Sequence, residues 1–363
     1  MKIDRHDPDP PNRLVKHCFT TKAWRRSIGC VLAMLLIVSS SAAQSSLGQQ
    51  SPWATESPPS LEADLRPPRE DAVPEPRSEQ QRVNDQQRAA ALIDQVIDRL
   101  ANGAAFDCKV RQRVRTAGRE VLGVGTYLQV GGGSGQFSFQ IEMHDGDGKH
   151  RLQQISDGRL AWTRTQIAGV VSLSRVDVGW LDEGARTLRR NDRIKPSMMV
   201  GGPSEMLDSI RRDYDLKLGK SSLSGRPLLV VIGTLKQSRR DQIGAFSHDG
   251  VLPPLFPTRV NVAIAQDDDP EIDFGKGLPV RIEHFSDPIA EPRDAQQDAA
   301  QAPKRRQMIS LLEFYSIRPV APPPIQRFRF ENQDTEIDFV NETGRYENRF
   351  NIRVSAKERQ RYR

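Results

Sequence analysis

Apolar and polar residues follow two different periods in this chain, and each period predicts one kind of element. Over residues 92–100 apolar side chains recur at spacings of three and four, and Asn102-Gly103 follows as a stop signal. This pattern predicts an amphipathic helix at the start of the folded region. Over residues 136–143 every second side chain is apolar, which predicts a strand with one buried and one solvated face.

Most of the remaining chain is predicted to form short strands separated by turn residues. A hairpin is expected between residues 124–130 and 136–143, and Gly-Gly-Pro-Ser at 201–204 predicts the start of a second amphipathic helix. About ten to twelve strands with two or three helices predict an α+β, mainly β fold, in which helices cover the concave face of a curled antiparallel sheet. The other predicted strands lie near residues 160–162, 171–173, 228–232, 260–264, 278–282 and 308–317.

The first residues of the chain have the pattern of a secretory leader. Basic residues at 22, 25 and 26 precede an apolar run at 28–38, and small residues up to Ala43 follow it. This run is much shorter than the roughly 20 apolar residues that a membrane-spanning helix needs. We therefore predict a signal peptide at 1–43 and a location in the periplasm or exported cell envelope, with an uncleaved anchor as the alternative.

Composition divides the rest of the chain into one domain with extended segments around it. Residues 44–87 are rich in Pro, Gln and Ser and poor in aliphatic clusters, which predicts a disordered tether. Residues 287–307 have a similar composition and predict a disordered loop insertion within the domain at 88–350. Residues 351–363 form a basic tail.

Charge and cysteine content narrow the range of partners. The net charge is +6, but the basic residues are scattered and export separates the chain from nucleic acid, so we predict no nucleic-acid partner. Transient contact with an anionic membrane surface stays open. Cys18 and Cys30 lie in the leader, so Cys108 is alone in the predicted mature chain and no internal disulfide can form.

The chain carries no spacing that is typical of a catalytic or metal site, so no enzyme, cofactor or metal is predicted. Asp145 and Asp147 resemble the start of a calcium loop, but the later ligand positions are missing and a hairpin turn is favoured. Gly131–Gly135 has predicted strands on both sides, unlike a phosphate-binding loop. A triad assembled from distant residues would leave no such motif. The histidines after the leader, none of them at helical metal-ligand spacing, are His144, His150, His248 and His284.

Apolar side chains on the predicted strands are the remaining candidates for function, because a curled sheet can hold an acyl chain on its inner face. In the alternative interpretation the same side chains meet covering helices in a filled core. Burial contributes about 1.5–3 kcal/mol per side chain in either case, so hydrophobicity does not decide between them. The predicted ligand-binding residues are Phe137, Phe139, Ile141, Trp162, Leu173, Val262 and Ile264.

The order of these parts, together with three strand motifs, resembles the LolA/LolB-like periplasmic lipoprotein-carrier superfamily, in particular its larger envelope members. The motifs are Gly-Thr-Tyr-Leu at 125–128, Phe-Ser-Phe-Gln-Ile-Glu-Met at 137–143 and Gln-Ile-Ser-Asp-Gly-Arg-Leu-Ala-Trp at 154–162. The resemblance implies an unclosed β-barrel whose helices form a lid over an apolar cavity for lipid or acyl chains. It implies no catalytic residues. The long tether and the 287–307 insertion depart from the family pattern.

Two functions follow as hypotheses. In the first, the protein is non-catalytic and binds lipid, or the acyl chains of an acylated protein, in an apolar cavity beneath the helices. In the second, it is an envelope sensor or scaffold with a filled core that binds a partner protein. The state of the inner face distinguishes them, since a ligand pocket typically encloses about 300–1,000 Å³.

Overall fold

A computed structural model describes residues 79–352, apart from 117–118, 146–147, 168, 189–192, 246–249, 251, 254, 288–305 and 334–335. The predicted signal peptide, nearly all of the predicted tether, most of the 287–307 insertion and most of the basic tail lie outside the described residues.

Twelve strands of the described chain form one sheet in the order β12-β6-β5-β4-β3-β2-β1-β11-β10-β9-β8-β7. All neighbouring strands are antiparallel except β12 and β6, which are parallel. The sheet begins at β12 and ends at β7, so the barrel is unclosed, as predicted. The strands are β1 (Phe106–Thr116), β2 (Arg119–Gln129), β3 (Gln136–Asp145), β4 (Gly148–Asp157), β5 (Leu160–Ile167), β6 (Val170–Asp177), β7 (Tyr214–Leu223), β8 (Arg226–Leu235), β9 (Arg259–Ala265), β10 (Pro279–Ser286), β11 (Gln307–Pro319) and β12 (Val340–Asn341).

Five α-helices accompany the sheet in the described ranges, and both predicted helices are confirmed. The first helix ends at Asn102, where the stop signal was expected, but it begins at Glu79, inside the segment 44–87 that predicts a tether. Its buried side chains are apolar and recur at three- and four-residue spacing, so it packs on the sheet as an amphipathic helix. The helices are α1 (Glu79–Asn102), α2 (Val178–Thr187), α3 (Gly202–Asp213), α4 (Gln237–Gly244) and α5 (Thr343–Arg349).

The inner face of the sheet, defined as the face that carries Phe139, holds the main core. Strand pairing places Tyr127 opposite Phe139, and Cys108 of β1 opposite Tyr127. The same alternation continues through β11 and β10 to Val262 of β9. Apolar side chains of α1 and α3 join this face in one buried cluster, so these two helices are the lid that the fold class predicts.

The last part of the described chain, residues 320–352, forms what we call the C-terminal strap. It leaves β11, makes a 3₁₀ turn at Ile325–Phe328 that contacts β3 and β4, and then adds the short strand β12 beside β6. It ends with α5, which packs near α2 and β6. The strap therefore runs from the sheet to the edge strand and on to the helices.

Candidate functional site

Five of the seven predicted ligand-binding residues lie together on the inner face. Phe137, Phe139 and Ile141 of β3 share that face with Val262 and Ile264 of β9, because residues two apart on a strand point the same way. All five belong to the core cluster beneath the lid. Their side chains are 0–5% exposed.

Trp162 and Leu173, the other two predicted residues, lie on the opposite face. Trp162 pairs with Ile155 of β4, whereas the neighbouring Gln154 pairs with Phe139 on the inner face. Leu173 is paired with Arg164, two residues from Trp162, and so shares its face. The two residues are therefore separated from the other five by the thickness of the sheet.

At these five residues the inner face is closed to water. A void wide enough for an acyl chain would leave part of its lining side chains accessible to water, and these five side chains are almost inaccessible. The described inner face therefore holds a packed core at these positions, and any ligand that reaches them requires the lid to move.

An aromatic cluster centred on Tyr127 fills the middle of this core. The Tyr127 ring contacts Phe106, Phe139 and Phe314 edge-on, with centroids 5.7, 5.9 and 6.3 Å away. Its hydroxyl donates a hydrogen bond to Gln129 Oε1, which satisfies the one polar group that the ring brings into the core. Burial raises the pKa of the Tyr127 hydroxyl, so it stays protonated as a donor.

Among the residues that the structure describes, Gln112 Oε1, His284 Nδ1 and Ser286 Oγ are buried polar atoms on the inner face without a hydrogen-bond partner. Gln112 lies on β1, while His284 and Ser286 lie on β10. Strand pairing places His284 opposite Ser310 of β11, which is itself opposite a β1 residue two positions from Gln112. Burial lowers the pKa of His284 to about 4, so its imidazole is neutral at pH 7. Sequence patterns missed this group, because its residues come from two strands, β1 and β10, that are far apart in the sequence.

Helix α3 is attached both to the inner core and to strand β4. Its apolar residues Met206, Leu207 and Ile210 join the inner core. At its start, Gly202 N donates to Gln154 Oε1 of β4 over 3.0 Å. Gly201 has φ 82°, and a Cβ there would lie 2.7 Å from the ring of Phe137, so only glycine fits this entry to the helix.

The other side of α3 is also buried, by an ionic contact with the C-terminal strap. Arg349 of α5 donates to Glu205 Oε1 and to Asp208 Oδ2, each over 2.5 Å. Tyr346 also donates to Glu205, over 2.9 Å. The side chains of Arg349, Glu205 and Asp208 are 9%, 7% and 5% exposed. One cation thus bridges two carboxylates in a place that water hardly reaches.

The charge states of this network follow from its packing. Burial by itself would raise the pKa of Asp208, but Arg349, together with Arg212 and Arg211, outweighs it and holds that pKa below its ordinary value. Burial likewise opposes the charge on Arg349, yet Glu205 and Asp208 raise its pKa. Asp208 and Arg349 are therefore both charged at neutral pH.

Other residues that the sequence singled out can be placed in the structure where it describes them, among them Asp145, His150 and Cys108. The described residues contain no group of three or more His, Cys, Asp or Glu that could hold a metal ion. His150 lies 2.9 Å from Asp145, within the hairpin that the sequence predicts there. Burial raises the pKa of Cys108, so its thiol is protonated and closed off from reagents. None of the described helices is long and apolar enough to cross a membrane.

Comparison with known proteins concerns the fold. No family model matches the chain, and no curated protein matches it. Among solved structures, the chain aligns with the MucA/MucB complex of Pseudomonas aeruginosa at 12% identity and a TM-score of 0.31, over 67% of this chain and 61% of that one. It therefore spans less than two thirds of that protein.

Two further alignments cover nearly the whole of the other chain. A LolA superfamily protein from Nitrosomonas europaea aligns at 12% identity and a TM-score of 0.25, over 67% of this chain and 97% of that one. LprF from Mycobacterium bovis aligns at 12% identity and a TM-score of 0.30, over 66% and 97%. At these TM-scores the alignments transfer no residue role. The fold is assigned from the strand order and lid helices described above.

Proposed function

We propose that this chain is an exported, non-catalytic binding protein that takes an acyl chain of a lipid or of an acylated protein between the inner face and the lid helices. The observation that carries this proposal is the set of buried polar atoms without partners on Gln112, His284 and Ser286. Leaving such a group unsatisfied costs about 1–3 kcal/mol, so a bound polar group that supplied the missing hydrogen bonds would stabilise this part of the core.

The chemistry of the inner face indicates what kind of ligand fits. Its apolar side chains suit methylene groups, each contributing about 0.8 kcal/mol when buried. Because His284 is neutral at pH 7, it offers a hydrogen bond rather than a positive charge. A neutral ester, amide or hydroxyl head therefore suits this face better than a carboxylate, whose burial without a countercharge is costly.

Binding in this way requires a conformational change, because the inner face is closed in the described state. Movement of α3 about its glycine-containing start would expose Phe137 and its neighbours without breaking the sheet. The ligand would then bind as the lid opens and leave in the same way.

Native mass spectrometry of the exported chain, followed by solvent extraction of any bound lipid, tests the proposal. Monopalmitoylglycerol and palmitate serve as added probes with the same chain and different heads. We expect a bound ester lipid, or uptake of monopalmitoylglycerol in preference to palmitate. A mass that stays that of the bare chain with both probes would contradict the proposal.

A second candidate is the envelope sensor or scaffold that binds a partner protein. The observation in its favour is the low exposure of the inner-face side chains, which suits a permanently filled core. Partner contacts would then fall on the outer face, where Leu122 and Val124 of β2 are 52% and 56% exposed. Loss of partner capture in Leu122→Ser/Val124→Ser, with no lipid in the unmodified chain, would favour this function.

A further inference from the structure

The C-terminal strap makes contacts on both sides of the β6 edge. On the outer face, Phe330 stacks on Trp162 with ring centroids 5.0 Å apart, and Phe339 meets the same ring edge-on at 5.3 Å. Arg175 of β6 lies over the Phe339 ring, 4.4 Å from its centroid. Trp162, which the sequence suggested as a ligand contact, therefore contacts two aromatic side chains of the strap in this structure.

At the β6 edge the strap is held by few hydrogen bonds. Strand β12 pairs with β6 only through Val340 and Asn341, and Val340 is 52% exposed. Two further backbone contacts lie beside it: Glu342 N donates to the carbonyl oxygen of Arg175, and Asp177 N donates to Thr343 Oγ1, each over 2.9 Å. This part of the strap can detach without disturbing any antiparallel pair of the sheet.

Beyond the edge, α5 connects the strap to the lid. Trp180 of α2 donates to Glu347 over 2.6 Å, and Tyr346 and Ile352 pack into a small apolar cluster with α2. On the next turn, Arg349 reaches α3 and bridges Glu205 and Asp208. The strap thus joins the edge strand β6 to the charged side of α3 through the ion pairs of Arg349.

We propose that the C-terminal strap is a clamp on the lid, in which Arg349 holds α3 closed and detachment of the strap from the β6 edge frees α3 to open. This inference rests on the proposed function, since it concerns access to the same inner face. A buried cation that serves two carboxylates suits such a role. When it leaves, two acidic groups must hydrate, and hydration draws that side of α3 away from the core.

The clamp can be tested with a thiol reporter on the lid. Met206 packs into the core from α3 and is 8% exposed, so Met206→Cys places a thiol that reagents reach only when the helix moves. The background carries Cys18→Ser, Cys30→Ser and Cys108→Ser, so that this is the only thiol. Labelling rates are then compared between this background and Arg349→Gln.

We expect Arg349→Gln to speed labelling at position 206 at least tenfold in the absence of urea. Arg345→Gln is the matched control, because Arg345 lies on the same helix and pairs with Glu342 over 3.2 Å. It should leave the rate nearly unchanged. Arg349→Lys keeps the charge without the two-pronged geometry and should give an intermediate rate.

A second reporter separates lid opening from general unfolding. Ala263 of β9 lies on the outer face in a separate buried cluster, so Ala263→Cys, in the same background without the 206 reporter, gives a thiol that reagents reach only when the sheet itself opens. If Arg349 clamps the lid, the thiol at 206 is labelled faster than the thiol at 263 and its rate depends little on urea, whereas labelling at 263 keeps the urea dependence of global unfolding. Equal labelling rates at both positions in Arg349→Gln, both with the urea dependence of global unfolding, would overturn the clamp.

The result is independent of whether lipid binds. Unchanged labelling at 206 in Arg349→Gln, together with lipid uptake by the unmodified chain, would reject the clamp and keep the binding function. Faster labelling with no lipid uptake under any condition would keep the clamp and reject the binding function.

Discussion

Helices α1 and α3 both press an apolar stripe onto the inner face, but they differ in what lies on their other side. Helix α1 turns its charged side to solvent, where Asp94 is 50% exposed in its pair with Arg211. Helix α3 turns Glu205 and Asp208 into a second buried contact with Arg349. The same amphipathic pattern thus produces a one-sided lid in α1 and a helix held from both sides in α3.

This difference affects how charged residues on an amphipathic helix are interpreted. Acidic residues opposite an apolar stripe are usually solvated, and an exposed ion pair contributes only about 0–1 kcal/mol. A buried pair behaves differently, since removing one partner leaves an uncompensated charge. The two helices therefore allow the two cases to be compared within one chain.

The largest expected effect is on the buried side of α3. Arg349→Ala should lower the free energy of unfolding by about 3–5 kcal/mol, because it leaves two buried carboxylates without their cation. Urea denaturation followed by circular dichroism measures this change. A loss below about 1 kcal/mol, typical of a surface pair, would remove the distinction between the two helices.

A somewhat smaller effect concerns the pH dependence of folding stability. It distinguishes the contribution of the inner face from that of the clamp. The pKa of His284 is lowered from 6.5 to about 4 by burial, so its contribution to stability is present above pH 6.5 and lost as the pH falls towards 4. At 1.36 kcal/mol per unit, this amounts to about 3 kcal/mol. His284→Leu should therefore flatten the stability profile across that window in urea titrations at fixed pH.

The contribution of the clamp to stability should be lost at a lower pH than that of His284. Because the pKa of Asp208 is held below 3.8, its contribution is fully present above that value and is lost only as the pH falls through the folded-state pKa. The stability difference between the unmodified chain and Asp208→Asn should stay constant from neutral pH to about 4 and shrink below it. A difference that vanishes between pH 7 and 5 would mean that Asp208 is not the group stabilised by Arg349.

The entry to α3 gives a more moderate effect. Gly201→Ala should cost about 1–3 kcal/mol, since the residue has positive φ and its Cβ would meet Phe137 at 2.7 Å. We also expect faster hydrogen exchange confined to residues 202–213, measured by mass spectrometry. Uniform acceleration across the sheet would show that Phe137 supports the whole core rather than the start of the lid.

The smallest effect is expected on α1. Arg193 pairs with Asp98 over 3.0 Å, but its side chain is 76% exposed. Arg193→Ala should therefore change the free energy of unfolding by less than about 1 kcal/mol. It is the surface counterpart of Arg349→Ala, and a loss as large as that one would place the two helices in the same class.

The elements that the sequence predicted are those with uninterrupted periodicity. Residues 92–100 and 136–143 combine a regular period of apolar residues with polar residues between them, and both elements were placed correctly. Strands β1 and β7 were missed because charged or other polar residues alternate with few apolar ones, as in Lys-Val-Arg-Gln-Arg-Val-Arg of β1. Their pairing with neighbouring strands supplies what local pattern does not.

The candidate site was predictable only in part, for a geometric reason. Alternation shows which residues of one strand share a face, but not which face that is relative to another strand. Phe139 and Val262 lie on the inner face, whereas Trp162 and Leu173 lie on the outer face. The Arg349 contact joins residues 141 positions apart in sequence, so no local spacing could reveal it.

The open sheet also has consequences for how the chain avoids association with itself. An edge strand offers unpaired backbone groups to any other extended chain, and natural proteins protect such edges. At one end of this sheet β7 carries Lys217 and Lys220, a charge pattern that disfavours stacking of a second strand. At the other end, protection of β6 depends on the two residues of β12, Val340 and Asn341. A chain truncated before residue 340 would present an eight-residue strand with its edge open, and fibrous or swapped assemblies would start there.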